Sequence, residues 1–279
     1  MTDFDVLVDK ILFENADYTP LKTVVEKEIL HHEILRVMAE SDFLGNLTFM
    51  GGTCLRDCYG SVRLSEDLDF TGGFEFSKAD LADFGVKIHK AIKEKYSFDV
   101  SVTEPKKEEG NTDTWKIKVI TKPEQKNLPT QKINIDICHL PSRDRKVQFL
   151  RNFYGFDFGT SDMPIFAESL EEILCDKVIA FARRPNKIKM RDLWDINWLY
   201  KKNVLLDRTL LLQKIDDRKI PLEQFKTQYN ERIKETESLQ EEFLFEMHRF
   251  LMPSAFTKNF TSPLWWQALV NLLAELGRF

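Results

Sequence analysis

Two hundred and seventy-nine residues are enough to bury a full hydrophobic core, and they suit one large domain or two small ones better than three. Apolar residues make up 43% and charged residues 30%, which excludes a disordered chain, and a net charge of −5 supplies no global positive field of the kind that marks many nucleic-acid binders. The cysteines (Cys54, Cys58, Cys138 and Cys175) form no CxxC pair and no zinc spacing, so they read as reduced thiols of a cytoplasmic protein. The start, MTDFDVLVDK, lacks the basic and apolar regions of a secretory signal, and no apolar run is long enough to span a membrane. The expectation is a soluble cytoplasmic protein with no membrane partner.

In chain order, Thr19-Pro20 predicts an N-cap and first position for a helix through LKTVVEKEILHHEILRVMAESD. Gly45-Asn46 ends that pattern. Leu47 to Met50 is too short an apolar run for a helix and reads as a buried strand, stopped by Gly51-Gly52 and followed by a short helix over 53–59. Residues 66–70, EDLDF, alternate as a half-buried strand does, and Ser77 predicts the cap of a helix over 78–95. Three β-patterned stretches follow near 97–103, 114–121 and 132–138, separated by polar turns such as KKEEGNTD.

From Ser169 the pattern turns helical. Ser169 and Glu172 have capping-box spacing for a helix over 170–184, Pro185-Asn186 breaks it, and a second helix runs from Met190 to Lys202. The remainder shows helical periodicity in pieces, punctuated by Pro221, Pro253 and Pro263. The reading is an α+β class: a domain over 1–202 with a mixed or antiparallel sheet flanked by helices, then a C-terminal helical bundle over 203–279, the boundary falling somewhere in 160–205.

Charge is unevenly spread. Residues 177–202 hold eight basic and two acidic side chains, against an acidic excess in each of the other segments. Such a block marks either a local anion site or a solvated helix face.

The densest chemical signal is FMGGTCLRDCYGSVRLSEDLDF, residues 49–70. On a strand, Asp67 and Asp69 share one face while Leu68 and Phe70 face the core. Two carboxylates fixed side by side repel each other, and a divalent cation between them relieves the repulsion. Gly51 and Gly52 let backbone N–H groups approach a phosphate closely, and the hydroxyls of Thr53 and Ser65 supply further donors. In KINIDIC, residues 132–138, the isoleucines share one face and Asn134, Asp136 and Cys138 the other, so Asp136 would complete a triad if that strand neighbours 66–70. Alone, D-x-D is also the pattern of solvated strand acids and Gly-Gly that of an ordinary turn. The histidines at 31, 32, 89, 139 and 248 are scattered and read as structural or exposed, with His139 near enough to Asp136 to touch the site.

A strand, a Gly-Gly turn, Ser-x-Asp-x-Asp on the next strand and a later lone Asp resemble the nucleotidyltransferase superfamily built like DNA polymerase β. The longer string resembles the AbiEii-type toxin nucleotidyltransferases of type IV toxin–antitoxin and phage-abortive systems. That family shows GGTxL followed by R-x-S-x-D-x-D, matched here by Gly51, Gly52, Thr53, Leu55, Arg63, Ser65, Asp67 and Asp69. A basic residue often precedes the glycines in the family; here Met50 does. A later family pattern, K-x-x-A-[LF] with an arginine shortly after it and then R-D-x-x-D, is matched by Lys177, Ala180, Phe181, Arg183, Arg191, Asp192 and Asp195. The likeness spans about 160 residues, roughly 45–202.

The resemblance implies an enzyme that moves NMP from an NTP to an acceptor hydroxyl and releases pyrophosphate. It assigns Mg²⁺ or Mn²⁺ to Asp67, Asp69 and Asp136, phosphate contacts to Gly51, Gly52, Thr53, Arg63, Ser65 and Lys177, and a place near the reacting centre to Asp192. An RNA acceptor, a tRNA end among the candidates, would lie on Arg183, Arg184, Lys187 and Arg191, and a cognate antitoxin would be encoded nearby. Two other readings stay open at this point: a small-molecule or protein hydroxyl as acceptor, and a catalytically idle nucleotide-binding or interaction module.

Overall fold

Isoleucines at 133, 135 and 137 alternate with polar residues, and this alternation puts the centre of a sheet in that segment, with the three isoleucines fully buried on one face. The computed structural model describes residues 2–106, 110–122 and 130–278. Residues 107–109, in the middle of the expected turn KKEEGNTD, lie outside the described residues. Backbone contacts divide the chain into two compact units, Met1–Glu168 and Ser169–Phe279. The division falls inside the 160–205 window, and the helices over 170–201 belong to the second unit.

The first unit is a seven-stranded mixed sheet of β1 (Thr48–Met50), β2 (Leu68–Thr71), β3 (Asp99–Thr103), β4 (Thr112–Ile120), β5 (Gln131–Cys138), β6 (Arg145–Phe149) and β7 (Pro164–Glu168). Its strand order is β3-β4-β5-β2-β1-β7-β6, with β2 parallel to β5, β1 parallel to β7 and the other neighbours antiparallel. Helices α1 (Asp3–Glu14), α2 (Lys22–Glu40), α3 (Gly51–Asp57) and α4 (Phe84–Tyr96) complete it. Phe49 and Phe70 stack at 5.1 Å between ring centres inside the core. The expected α+β class is the one observed.

Several boundaries differ from the sequence expectation. Thr19 and Pro20 lie in a 3-10 turn, Ala16–Leu21, and α2 begins only at Lys22. A proline's fixed φ suits that turn as well as a first helical position. The helix expected over 78–95 is two pieces: Ser77 caps a 3-10 turn, Lys78–Leu81, and Asp83, at φ +62°, turns the chain before α4 starts. Strands β6 and β7 and helix α1 were not foreseen. The strand expected over 66–70 starts two residues later, which leaves Asp67 just ahead of β2.

The second unit contains only helices: α5 (Leu170–Arg183), α6 (Met190–Lys201), α7 (Arg208–Asp217), α8 (Leu222–Thr236), α9 (Gln240–Met247) and α10 (Pro263–Leu276), with a 3-10 turn at Lys258–Thr261. Ser169 caps α5 as expected, its hydroxyl accepting the Glu172 N–H at 3.1 Å. Tyr229 is wholly buried against Phe181, and its hydroxyl donates to the Leu273 carbonyl at 2.9 Å. Buried Lys214 is held between Glu172 and Asp176 at 2.6 and 2.8 Å. Trp266 is core, its indole N–H donating to the Glu237 carbonyl, while Trp265 is half-buried. None of the four cysteines is in a disulfide; Cys54, Cys58 and Cys175 are buried and Cys138 is half-exposed. Among the described residues no helix is long and apolar enough to cross a membrane.

Truncating the stacked ring in Phe49→Ala should cost about 3–5 kcal/mol of stability, because the removed ring leaves a cavity that its neighbours fill only in part. Urea unfolding of the variant against the native protein measures it.

Candidate active site

The register of β2 against β5 decides what the acidic motif becomes. Asp69 lies directly opposite Asp136 on the adjacent parallel strand, so the two carboxylates project from the same face of the sheet, one interstrand spacing apart. Both are half-buried. Thr114, opposite Asp136 on the other side, donates its hydroxyl to Asp136 Oδ1 at 2.6 Å. Asp67 continues the line of β2, and its Oδ1 accepts the Asn134 backbone N–H at 3.0 Å.

The Gly-Gly turn closes over this pair. Gly51, at the start of α3, has φ +76°, and a methyl group there would come within 2.6 Å of Asp69 Oδ2. A side chain at Gly52 would run into Arg63 Nη2 and reach 3.3 Å from the Ser65 hydroxyl. Glycine is required at Gly51 by the backbone angle and the carboxylate, while at Gly52 a side chain would displace the guanidinium lying across it. The Thr53 hydroxyl donates to the Asp67 carbonyl, tying α3 to the approach of β2. Gly51, Gly52, Thr53, Arg63, Ser65, Asp67, Asp69 and Asp136 thus come together in one place.

Beneath the site lies a support that the motif did not reveal. The Glu28 carboxylate, buried on α2, accepts the Arg56 Nε–H at 3.0 and 3.1 Å, the Ser65 backbone N–H at 3.1 Å and the Tyr154 hydroxyl. Arg56 also donates to the Ser61 carbonyl at 3.2 Å and stacks on Phe153. Burial, reinforced by the neighbouring Glu28 charge, keeps the Tyr154 phenol well above its ordinary value, so it remains a donor. His31 donates through Nε2 to the Glu66 carbonyl at 3.0 Å, and Lys27 pairs with the Glu66 carboxylate at 2.8 Å. The stretch 61–66 is therefore fastened to α3 at Ser61 and to α2 at Ser65 and Glu66. The signal available in the sequence was a helix with acids and histidines interspersed among its apolar residues, EKEILHHE; because α2 is buried along most of its length, these side chains meet partners inside the protein. His139 turns away from Asp136 and meets Asp113 through Nε2 at 2.9 Å.

In the second unit Lys177 sits between Asp192 and Asp195 at 3.0 and 2.7 Å, and Arg184 reaches Asp192 at 2.7 Å. Burial pushes the Asp192 carboxyl up, but Lys177 and Arg184 more than offset it and hold the group well below the usual carboxylate range. The basic block is not one patch. Arg184 is engaged with Asp192, and Arg191 lies against Glu246 and the Phe250 ring. Arg183 bonds Gln228 and, with Arg184 and Arg232, lines a cleft of about 530 Å³, while Lys187 is exposed.

Two adjacent carboxylates suit Mg²⁺, which protein sites commonly hold through one or two carboxylates with substrate phosphates completing the shell. Among the described residues no group of three or more His, Cys, Asp or Glu side chains is placed to hold a metal ion.

Residues 33–270 match the family described as nucleotidyl transferase AbiEii toxin, type IV TA system. The chain belongs to the AbiEii family. It is accordingly a nucleotidyltransferase of the toxin–antitoxin class, with an NTP substrate and a cognate antitoxin implied by membership. No curated protein sequence matches it significantly. Among solved structures it is similar to MenT4, a nucleotidyltransferase toxin from Mycobacterium tuberculosis, at TM-score 0.59 and 13% identity over 99% of this chain and 90% of that one. It also resembles JHP933 from Helicobacter pylori, at TM-score 0.50 and 17% identity over 91% and 92% of the two chains. At these identities the likeness is one of fold.

Two outcomes follow for this AbiEii-family site. Gly51→Ala should lose transferase activity and about 1–2 kcal/mol of stability, the strain of an L-residue in that conformation, while Gly52→Ala should lose activity with less destabilisation because only a flexible guanidinium must move. Activity assays paired with urea unfolding separate the two. Burial lowers His31 to about 3 and His32 to about 4 from an ordinary 6.5. Each binds protons more readily once unfolded, so stability should fall as pH drops from about 6.5 towards 4, by roughly 1.4 kcal/mol per pH unit per histidine. Urea midpoints at pH 7 and pH 5 should differ clearly for the native protein and much less for His31→Asn/His32→Asn.

Proposed function

We propose that this chain transfers NMP from an NTP to a hydroxyl of an RNA acceptor, a tRNA end being the favoured target, with release of pyrophosphate, as a toxin of a type IV or phage-abortive system. The observation that carries the reading is the in-register pair Asp69–Asp136 beside the Gly51-Gly52 turn. Phosphoryl-type transfer needs positioning and charge stabilisation more than a covalent nucleophile, and this arrangement offers both.

Asp67, Asp69 and Asp136 are the residues that would hold Mg²⁺ or Mn²⁺, whose contribution is to neutralise charge on the triphosphate as the α-phosphorus is attacked. Backbone N–H groups at Gly51, Gly52 and Thr53, the Arg63 guanidinium and the Ser65 hydroxyl would receive phosphate oxygens. Asp136 would accept the proton of the attacking hydroxyl, directly or through a water, with Thr114 fixing its orientation. Glu28 and Arg56 keep Ser65 where a phosphate would meet it. For Lys177 the family resemblance supports a phosphate contact. Its clamp between Asp192 and Asp195 supports a side chain held in one position, with Asp192 kept ionised to hold it.

Incubation with Mg²⁺ and each α-labelled NTP should label an RNA acceptor, and Asp69→Asn or Asp136→Asn should reduce labelling by at least about a thousandfold, the scale on which electrostatic stabilisation acts. Labelling of a small molecule or a protein in place of RNA would overturn the acceptor assignment. Full activity of either variant would overturn the site.

A further inference from the structure

The open face of β3, β4 and β5 continues from Asp136 in two further cross-strand rows. The first row is Asp136 with Thr114. The next holds Asn134, Lys116 and Thr103, and the one after it Lys132, Lys118 and Ser101. Successive rows are two residues apart, or about 6.7 Å. All three lysines are exposed, as are Ser101 and Thr103, and none of the lysines has an ion-pair partner among the described residues. The other acid on this face, Asp99, is matched by Lys93 at 2.6 Å.

The pairing of Lys118 with Lys132 is the informative part. They stand directly opposite each other, and like charges at facing positions destabilise a sheet. Lysines commonly guard sheet edges against further strand pairing; Lys118 lies between β3 and β5, so edge protection does not account for it, while Lys132 stands ahead of Ile135, where the pairing of β5 with β2 begins. Repulsion of this kind is relieved by an anion lying across both side chains. A row spacing close to the separation of successive phosphates in an extended strand, ending at the proposed proton acceptor, describes a particular ligand.

We propose that Lys116, Lys118 and Lys132, with the hydroxyls of Ser101 and Thr103, form the track for the end of a single-stranded RNA acceptor. Its terminal hydroxyl lies at Asp136, its last phosphate at the Lys116 row and the preceding phosphate at the Lys118–Lys132 row. This rests on the reading of RNA as the acceptor, and it adds an anion path on the sheet that the basic block over 183–191 did not suggest.

The test measures binding of a fluorescent short single-stranded RNA across a salt series, together with NMP transfer to that RNA. In Lys116→Gln/Lys118→Gln/Lys132→Gln the slope of log affinity against log salt should shrink by about 1.4, from two phosphates no longer neutralised at about 0.7 each, with affinity down at least about tenfold at low salt. Lys132→Glu alone should raise the unfolding midpoint, by turning a repulsive pair into an attractive one, while lowering RNA affinity. If the native protein labels RNA and the triple variant keeps the native slope and affinity, the track is wrong and the RNA reading stands. If the native protein neither binds nor labels RNA but transfers NMP to another hydroxyl, the RNA reading fails and the track with it.

Discussion

The pairing of β2 with β5 is the constraint on which the site depends. Asp69 and Asp136 are 67 positions apart in sequence, and only a parallel register that sets Leu68 against Ile135 puts their carboxylates side by side. A slip of one residue would turn Asp69 into the apolar layer under α2 and α4 and bring a leucine or phenylalanine to the surface. The register is held by buried apolar residues on the far side: Leu68, Phe70 and the three isoleucines of β5. The hydrophobic core thus fixes the chemistry on the opposite face, and repulsion between two acids is tolerated because the core supplies the compensating stability.

A second layer stiffens this arrangement from below. Glu28 ties four parts of the first unit together: α2 on which it rides, α3 through Arg56, the stretch before β2 through the Ser65 N–H, and the loop ahead of β7 through the Tyr154 hydroxyl. A buried carboxylate meeting a buried guanidinium is costly to desolvate and costlier to disrupt, so a network of this type contributes more to position than to net stability. His31 repeats the device one turn further along with a neutral ring, which burial keeps from taking up a proton.

The acidic motif, the Gly-Gly turn and Asp136 were legible in the sequence because each carries a local signature: period-two alternation, adjacent glycines, a lone charge in an apolar strand. Their convergence was legible only through resemblance, since nothing local states which strands pair. The edge strand β6, RKVQF, escaped notice because its residues are mostly exposed and carry little alternation, and β7 because it is short and begins with proline. The helix expected over 78–95 hid its break at Asp83, an αL residue that composition does not announce. Basic residues over 183–191 advertised charge but not its partners: Arg184 is drawn to Asp192 and Arg191 to Glu246, so that block is less available than its count suggested.

The arrangement of the cysteines offers a chemical handle. Burial pushes the Cys54 and Cys175 thiols up, and Cys58 is also buried, so three of the four are poor targets for an alkylating reagent. Cys138 is half-exposed and lies two residues beyond Asp136 on the same face of β5. A maleimide or a fluorinated tag would therefore land beside the proposed reacting centre without engineering of the chain. The protein carries a native reporter, whose modification rate or resonance would register the arrival of a nucleotide or an acceptor strand.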